Sequence, residues 1–201
     1  MGRLFRLGVV DVTAYFERRL RRYGDSPKSL DWSEEGQRCR FRVLSEIGRM
    51  DNCEVLDVGC GLGHYRDYLL ETGVSISYTG MDASARMVRA AKRRCPAVPF
   101  FVSDGTSKEL PRRADFVVAS GVLNVEDGDN ERAMRRLLRT CYLGSRSGAA
   151  VNMLSKWADR YDKDRHYYDP CRLLRFASTV SRRAVLRHDY LPHDFTLYLY
   201  R

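Results

Sequence analysis

The stretch Glu54-Val-Leu-Asp-Val-Gly-Cys-Gly-Leu-Gly-His64 decides how the rest of the chain is organised. Its first half is a nearly continuous apolar run from Val55 to Val58, which is typical of a parallel strand buried on both faces. Three glycines then stand at alternate positions: Gly59, Gly61 and Gly63. Glycine adopts backbone angles that other residues avoid and lets the main chain approach a ligand closely. We therefore predict a central strand followed by a ligand-binding loop, with a tight structural turn as the alternative.

The spacing of the glycines argues against a dinucleotide loop. The dinucleotide fingerprint is G-x-G-x-x-G, but the sixth position counted from Gly59 is His64, and Gly63 comes one position early. The G-x-G-x-G spacing preceded by Asp57 resembles motif I of the class I S-adenosylmethionine (SAM) dependent methyltransferases. This resemblance implies that Asp57 helps to hold the amino-acid end of SAM and that Cys60 is a cofactor neighbour with no chemistry of its own.

A second strand follows the glycine loop, and an acidic residue stands directly after that strand. We predict a strand from Ile76 to Met81, followed by Asp82. This carboxylate stands 19 positions after Gly63 (82 − 63 = 19), the spacing expected of an acid that accepts hydrogen bonds from both hydroxyls of a ribose. Capping of a helix from Ala83 to Arg94 is the alternative role of Asp82, and the two roles are compatible.

A third strand is predicted from Pro99 to Ser103, and it ends at Asp104-Gly105. This arrangement resembles the third signature of the family, in which an acidic side chain accepts a hydrogen bond from the adenine amino group. A plain turn is the alternative for Asp104. The resemblance also implies that apolar residues near the second strand pack on the faces of the purine: Met81, Ala83 and Met87.

The fourth predicted strand runs from Asp115 to Ser120 and is followed by Gly121. In the family the backbone here lies beside the methionine arm of SAM, which implies cofactor contacts for Ser120 and Gly121. Enzymes that methylate exocyclic amino groups of nucleobases typically carry an Asn/Asp-Pro-Pro-aromatic motif at this place, whereas this chain has Ser-Gly-Val-Leu-Asn. Asn124 either contacts the acceptor or caps the following turn. The complete set of predicted cofactor residues is Asp57, Gly59, Cys60, Gly61, Gly63, Asp82, Ala83, Met87, Asp104, Gly105, Ser120 and Gly121.

Two helices are predicted before the first strand. Between Asp11 or Thr13, the two candidate caps, and Gly24, a candidate stop, apolar and mostly aromatic residues recur at spacings of three and four. A second helix is predicted to begin near Asp31 and Glu34, which have the spacing of a capping box, and to continue to Met50. We predict that residues 1–50 form a helical lid in the same domain as a SAM-binding core of residues 51–201. Packing of the first helix into the core is the alternative. The rings predicted to contact substrate are Tyr15, Tyr23 and Trp32.

Three further strands complete the expected sheet. They are predicted at residues 149–154, 183–186 and 195–200, after helices that begin at Asn130 and Pro170. Seven strands with helices between the first five resemble the methyltransferase sheet. The resemblance therefore implies an α/β fold, a Rossmann-like doubly wound seven-stranded sheet of order 3-2-1-4-5-7-6 with strand 7 antiparallel. Ligands in such sheets bind beyond the carboxyl ends of the strands where the strand order reverses.

Catalysis by such a protein rests mainly on alignment, because SAM carries an already activated methyl group. Alignment of a nucleophile can contribute about 7–11 kcal/mol, and a general base adds roughly 10²–10⁴-fold where the acceptor must lose a proton. The predicted catalytic residues follow the fifth strand or lie near the sixth: His166, Tyr168 and His188. Tyr167 is predicted to contact substrate. A structural role is the alternative for each histidine, since isolated histidines are more often structural or exposed than catalytic.

Composition fits a single globular domain, with 44% hydrophobic and 30% charged residues in 201. No apolar run is long enough to span a bilayer or to form a signal-peptide core, so we expect a cytoplasmic protein without membrane association. The six cysteines form no C-x-x-C pair, and we expect reduced thiols and no metal site.

The net charge of +9 raises the question of nucleic-acid binding. Only five of the 35 basic residues are lysines, and the 30 arginines (35 − 5) include adjacent pairs on predicted helix faces, where solvent exposure explains them. We therefore expect no nucleic-acid partner. A homodimer is compatible with the sequence.

The sequence thus favours a SAM-dependent methyltransferase, with S-adenosylhomocysteine (SAH) as a product, that acts on an O, N or C nucleophile. The aromatic residues of the predicted lid and of segment 156–169 favour a small organic acceptor, a class that includes the molecules of specialised metabolism. Two alternatives stay open. One is an RNA or protein methyltransferase, and the other is a SAM-using protein that does not methylate, either a cyclase or a SAM-binding protein.

Overall fold

The computed structural model describes residues 11–106 and 110–201. Its α-helices are α1 (Val12–Tyr23), α2 (Glu34–Ser45), α3 (His64–Glu71), α4 (Ala85–Arg94), α5 (Asn130–Gly144) and α6 (Pro170–Val180). A short 3-10 helix, Pro27–Leu30, lies between α1 and α2. The strands are β1 (Cys53–Val58), β2 (Ile76–Asp82), β3 (Phe100–Val102), β4 (Ala114–Ser120), β5 (Ser145–Leu154), β6 (Arg183–Arg187) and β7 (Asp194–Tyr200). In these described ranges no helix has both the length and the apolar composition needed to cross a membrane.

The seven strands form one sheet of order β3-β2-β1-β4-β5-β7-β6. The pairs from β3 to β5 are parallel, and β7 runs antiparallel to both β5 and β6. The predicted Rossmann-like α/β sheet, including the antiparallel seventh strand, is therefore confirmed. Strand order reverses at β1, which places the glycine loop at the edge of the sheet where such folds bind ligands.

The pairing register explains why distant residues meet at this edge. Val58, the last residue of β1, pairs with Met81 of β2 and with Ala119 of β4. The residues that follow these three positions, Asp82 and Ser120 among them, therefore end up beside the glycine loop. Segments that are far apart in the sequence thus contribute to one site because parallel strands end at the same edge.

The core has two layers, one on each face of the sheet. On one face, α5 and α6 bury residues such as Leu137 and Leu173. On the other face, α2, α3 and α4 bury Leu44, Leu69 and Val88. The predicted lid of residues 1–50 is thus too broad, because α2 belongs to the core. No residue of α1 is buried, so in the described chain α1 and the 3-10 helix are the N-terminal elements with the position of a cover.

Several predicted element boundaries need correction, while others are confirmed. Asp11 caps α1 by accepting a hydrogen bond from the Ala14 N–H at 3.0 Å, and Gly24 ends that helix, as predicted. The α2 cap is Ser33 rather than Asp31, whose left-handed φ of 65° ends the 3-10 helix. Ser84 caps α4, which frees Asp82 from the capping role. Helix α2 ends at Ser45 rather than Met50, and β5 begins at Ser145 rather than Ala149.

Candidate active site

The glycine loop needs glycine for both backbone angle and space. Gly59, Gly61 and Gly63 have φ values of 73°, 54° and 81°, a region that residues with a side chain rarely adopt. A Cβ on Gly59 would collide with Cγ2 of Val122, and a Cβ on Gly61 would lie 2.6 Å from Cδ2 of Leu30. The loop is therefore packed against the chain that follows β4 and against the N-terminal cover.

Asp82 joins the end of β2 to this loop. Its Oδ2 accepts a hydrogen bond from the Gly61 N–H at 3.0 Å, and its Oδ1 accepts one from the Ser84 N–H at 2.8 Å. Burial raises the pKa of Asp82, and the two backbone hydrogen bonds oppose that rise. Each oxygen keeps a second lone pair. The carboxyl group can therefore accept further hydrogen bonds from a ligand without releasing the loop.

A cavity of about 390 Å³ opens at this edge of the sheet, and we call it the cofactor cavity. Seven of the predicted cofactor residues line it: Gly59, Asp82, Ala83, Met87, Asp104, Ser120 and Gly121. Val12, Thr13 and Phe16 of α1 close it from the side opposite the sheet. The cavity thus combines a glycine cradle, carboxyl groups and an apolar wall, a donor and acceptor set that suits an adenosyl group with its ribose.

The other predicted cofactor residues lie behind the cavity wall. The Asp57 carboxyl is buried and accepts a hydrogen bond from the Tyr78 hydroxyl at 2.6 Å. Burial raises the pKa of Asp57 to about 7, and the Tyr78 hydrogen bond opposes that rise. The structure therefore does not bring Asp57 to the cavity, because alternation along β1 points it to the same face as Val55.

Four further predicted cofactor residues also lie outside the cavity lining. The Cys60 side chain is buried, and a Cβ on Gly80 would lie 2.8 Å from its Sγ, so the thiol faces β2 rather than the cavity. Gly61 and Gly63 shape the loop without lining the cavity. Gly105 has a φ of 69°, and a Cβ there would collide with Val58, so it too supports the site from behind.

Apart from Asn124, the sequence did not predict that the segment after Gly121 belongs to the site. Val122, Leu123, Asp127 and Asp129 line the cofactor cavity. Leu123 adopts a φ of 65°, and its carbonyl accepts hydrogen bonds from the Tyr168 hydroxyl at 2.7 Å and from Asn130. A left-handed leucine has no sequence signature, and such strained residues cluster at functional sites. The polar run of residues 126–130 was the one available signal of a turn.

A second, larger cavity of about 970 Å³ adjoins the first, and we call it the acceptor cavity. The residues that line both cavities are Phe16, Leu30, Trp32, Gly121, Asn124 and Val125. Two of the predicted substrate residues, Trp32 and Asn124, therefore stand at the junction, and a third, Tyr167, lines the acceptor cavity. The shared wall is the place where a group held in one cavity can reach a molecule held in the other.

The remaining substrate predictions, Tyr15 and Tyr23, do not line either cavity. The Tyr15 hydroxyl donates to Asp31 at 2.8 Å and accepts from Arg165 at 2.7 Å. Asp31 also forms ion pairs with Arg19 and Arg165. These contacts join α1 to the segment after β5 across the mouth of the acceptor cavity. The Tyr23 ring instead contacts the guanidinium groups of Arg19 and Arg22.

Asn124 offers a free donor at the junction. Its Oδ1 accepts a hydrogen bond from the Leu154 N–H at 3.3 Å, so it fastens this turn to the end of β5 rather than capping the next turn. Its Nδ2 is buried and has no hydrogen-bond partner among residues 11–106 and 110–201. The same is true of the Ser120 hydroxyl oxygen. Buried polar atoms are rarely left unpaired, so both atoms are suited to contact a ligand.

The three predicted catalytic side chains do not line either cavity. His166 Nδ1 lies 2.7 Å from Glu126, and this hydrogen bond lowers the pKa of Glu126. Tyr168 is buried, and burial raises the pKa of its hydroxyl. His188 Nε2 lies 2.7 Å from the Ser155 hydroxyl. The geometry therefore favours structural roles for these three residues.

The extended chain at residues 165–168 explains this outcome. Arg165 and Tyr167 line the acceptor cavity, whereas the rings of His166 and Tyr168 contact each other, with centroids 4.6 Å apart. Successive side chains of an extended segment point to opposite sides. Because Tyr167 points into the cavity, its neighbours His166 and Tyr168 point away from it. In the described chain His193 is the histidine that lines the acceptor cavity, and sequence reasoning missed it because it precedes β7 in an unremarkable polar turn.

Comparison with known proteins agrees with this geometry. Residues 55–144 match the family described as "Methyltransferase domain". The chain is 33% identical over 160 residues to Rv1506c of Mycobacterium tuberculosis (strain ATCC 25618 / H37Rv), a protein named as a methyltransferase; this alignment covers 75% of the chain and 95% of that relative.

Two further relatives are more distant. The trans-aconitate 2-methyltransferase of Azoarcus sp. (strain BH72) is 27% identical over 99 residues, which cover 49% of the chain but 39% of that relative. The magnesium protoporphyrin IX methyltransferase ChlM of Synechocystis PCC 6803, solved with SAH bound, superposes with a TM-score of 0.61 at 15% identity and covers 92% of this chain and 93% of its own. The first relative is similar over nearly its whole length, and the last shares the fold. The chain therefore belongs to the class I SAM-dependent methyltransferases.

Proposed function

We propose that this methyltransferase transfers the methyl group of SAM to a small organic molecule bound in the acceptor cavity. The observation that carries the proposal is the shared wall of the two cavities at Trp32, Gly121 and Asn124. A cavity volume of about 970 Å³ lies within the range of sites that bind small molecules. The aromatic and apolar residues of the wall, with a few polar groups between them, are typical of such sites.

The cofactor cavity offers specific partners for each part of SAM. Asp82 would accept hydrogen bonds from the ribose hydroxyls, Met87 and Ala83 would pack on the purine, and Asp104 would accept from the adenine amino group. Ser120 and Gly121 would lie beside the methionine arm. SAM supplies an activated methyl group, and the residues of the chain hold it at the junction, exclude water and orient the acceptor toward it. Orientation of this kind is worth about 7–11 kcal/mol of the barrier.

His193 is our candidate for a group that orients the acceptor. It lines the acceptor cavity, and Nη2 of Arg40 donates a hydrogen bond to its Nε2 at 3.3 Å, which holds the ring in place and leaves the proton on Nδ1. The Nδ1–H group can donate a hydrogen bond to a polar atom of the acceptor. Tyr167 and Asn124 complete the wall around the acceptor, and the free Nδ2 of Asn124 donates a hydrogen bond to it.

The acceptor cavity also contains a cation that can bind an acidic acceptor. Arg160 lines it and forms no ion pair with the described residues, whereas Arg40 and Arg165 are paired with Asp194 and Asp31. Guanidinium groups bind carboxylates through paired hydrogen bonds. Some relatives are named trans-aconitate 2-methyltransferase, and aconitate is a carboxylic acid. Carboxylic acids are therefore the first acceptor class to test.

The test is an incubation of the protein with SAM and a panel of small carboxylic acids, phenols and amines, followed by mass spectrometry of both cofactor products and acceptors. We expect SAH together with one methylated small molecule. His193→Ala should lower kcat with little change in SAH affinity, whereas the matched variant His188→Ala, outside both cavities, should have a much smaller effect.

Two results would overturn the proposal. Methylation of RNA or protein in parallel incubations, with no methylated small molecule, would show a macromolecular acceptor. Conversion of a substrate without any methylated product would show a SAM user that does not methylate, which is the third function considered from the sequence.

A further inference from the structure

A groove outside both cavities is lined by five arginines. It has a volume of about 740 Å³ and lies between the C-terminal end of α1 and one face of α4. We call it the arginine groove, and its cations are Arg21, Arg86, Arg89, Arg93 and Arg94. Among its described lining residues there is a single acid, Asp25. The mechanism of methyl transfer uses none of these side chains.

Two of the five arginines are already neutralised. Arg94 forms ion pairs with Asp25 and Asp67, and its hydrogen bonds to these carboxylates raise its pKa despite its partial burial. Arg86 lies 4.0 Å from Glu17 of α1. Asp25 also contacts His64 at 2.8 Å. These contacts occupy the acids around the groove, so they are not available to the other arginines.

The other three arginines have no such partner. Arg21, Arg89 and Arg93 are exposed and form no ion pair with any side chain in residues 11–106 and 110–201. Arg89 and Arg93 are four residues apart on α4, which places them about 6 Å apart along the helix axis on one face. Arg21 reaches the groove from α1. Three unneutralised cations from two walls create a positive potential in the groove that attracts an anion.

We propose that the arginine groove binds an oligophosphate group, the diphosphate or triphosphate part of a small molecule. Guanidinium groups bind phosphate oxygens through paired, charge-assisted hydrogen bonds. Two free cations about one helical turn apart on α4, with a third from α1, match a compact group with two to three negative charges. A nucleic-acid backbone carries its charges along an extended line and would need a longer track of cations. Within the groove, the ion pairs of Arg86 and Arg94 leave Arg21, Arg89 and Arg93 as the free cations.

The experiment is calorimetric titration of the full chain with inorganic tripolyphosphate at about 0.15 M ionic strength, where nonspecific surface attraction is largely screened. The groove variant is Arg89→Glu with Arg93→Glu. The matched control is Arg182→Glu with Arg183→Glu. These two exposed arginines lie at β6, the edge strand at the opposite end of the sheet from β3. Both double variants change the net charge from +9 to +5 (9 − 4), so only the position of the charge differs.

We expect saturable binding of tripolyphosphate to the wild-type protein and to the control, and at least tenfold weaker binding to the groove variant, roughly the effect of losing one or more charge-assisted hydrogen bonds. Unchanged SAH affinity and an unchanged melting temperature confirm that the groove variant is folded. If it does not fold, Arg89→Gln with Arg93→Gln replaces it, with the same expected loss. Tighter binding of ATP than of tripolyphosphate would identify a nucleotide as the source of the phosphates, and equal binding would identify the free oligophosphate.

Three results would overturn the proposal. One is the absence of saturable tripolyphosphate binding to the wild-type protein. Another is an equal loss of binding in the two double variants, which would show a general effect of net charge. The third is binding of a single-stranded RNA, with a steep dependence on salt, in the absence of tripolyphosphate binding. None of these measurements depends on the methyl acceptor, so their outcome is independent of the outcome for the proposed function.

Discussion

The guanidinium of Arg40 stacks on the ring of Trp32, with its Cζ 3.9 Å from the ring centroid. The same guanidinium forms an ion pair with Asp194, Nη2 to Oδ2 at 2.5 Å, and both side chains are almost fully buried. Trp32 in turn packs on Gly121 at the junction of the two cavities. A buried ion pair between α2 and the start of β7 therefore supports the wall of the active site.

Removal of Arg40 should be costly for stability. Arg40→Ala leaves the Asp194 carboxyl buried without its partner, and breaking a buried pair in this way typically costs 3–5 kcal/mol. The matched control is Arg38→Ala, two residues earlier in α2, whose ion pair with Glu71 is exposed and should contribute little to stability. Urea unfolding measures both. Equal destabilisation of the two variants would contradict the structural role of the buried pair.

Gly121 should tolerate no side chain. It has a φ of 65°, and a Cβ would collide with the Trp32 ring. Gly73 has a φ of 81° with no atom within 4 Å of a Cβ, so Gly73→Ala measures the backbone strain alone, about 1–2 kcal/mol. Gly121→Ala should cost about 1–3 kcal/mol more through overpacking and should weaken SAH binding. Equal effects of the two substitutions on unfolding and on calorimetric SAH affinity would rule out this packing contact.

The Asp82 carboxyl should be needed for cofactor affinity. Asp82→Asn keeps the size of the side chain but removes the charge that strengthens its hydrogen bonds, so SAH affinity should fall by about tenfold or more. Asp51→Asn, at an exposed site far from the cofactor cavity, should leave the affinity unchanged. Titration calorimetry with SAH checks both. A tenfold loss of SAH affinity in the Asp51 variant, or no loss in the Asp82 variant, would contradict a specific role of Asp82 in cofactor binding.

The buried Asp57 should make stability depend on pH. Its pKa is about 7 in the folded protein and about 3.9 in an unfolded chain. Between these values the folded state holds a proton that the unfolded state releases, so the contribution of Asp57 to the free energy of unfolding falls as the pH rises from about 4 to about 7. Above about pH 7 the contribution is constant.

Asp57→Asn removes this contribution, so the variant should gain stability relative to wild type as the pH rises through that window. Urea unfolding at intervals between about pH 5 and pH 8 measures the difference. Tyr78→Phe removes the hydrogen bond that lowers the pKa of Asp57, so its stability should keep falling to higher pH than that of wild type. Parallel pH profiles for the wild type and Asp57→Asn would show that Asp57 titrates alike in both states.

The contacts of Tyr15 should hold α1 over the cavities. Tyr15→Phe removes the hydroxyl that joins Asp31 and Arg165, and loss of about 1 kcal/mol should raise amide hydrogen exchange in α1 by about fivefold. Tyr23→Phe, on the same helix, is the control, since the ring of Tyr23 rather than its hydroxyl contacts Arg19 and Arg22. Similar exchange rates in the two variants would show that α1 is held by other contacts.

The sequence by itself determined the order of the elements and the place of the cofactor. Apolar runs and helical spacings predicted all seven strands, and the glycines at 59, 61 and 63 with Asp82 identified the loop, because these signals depend on local backbone geometry. The family resemblance then supplied the sheet order. Boundaries differed where a neighbouring residue was the better cap, as Ser33 and Ser84 are for α2 and α4.

Only the tertiary structure decided which side chains face the site. Asp57 lies on the face of β1 that points away from the cavity, and His166 and Tyr168 flank the one ring, Tyr167, that reaches it. A strand or extended segment has two faces, and local sequence does not say which face a distant element will cover. Arg40, His193 and Leu123 belong to the site, or support it, because α2, the turn before β7 and the turn after β4 pack together, and no local pattern encodes that packing.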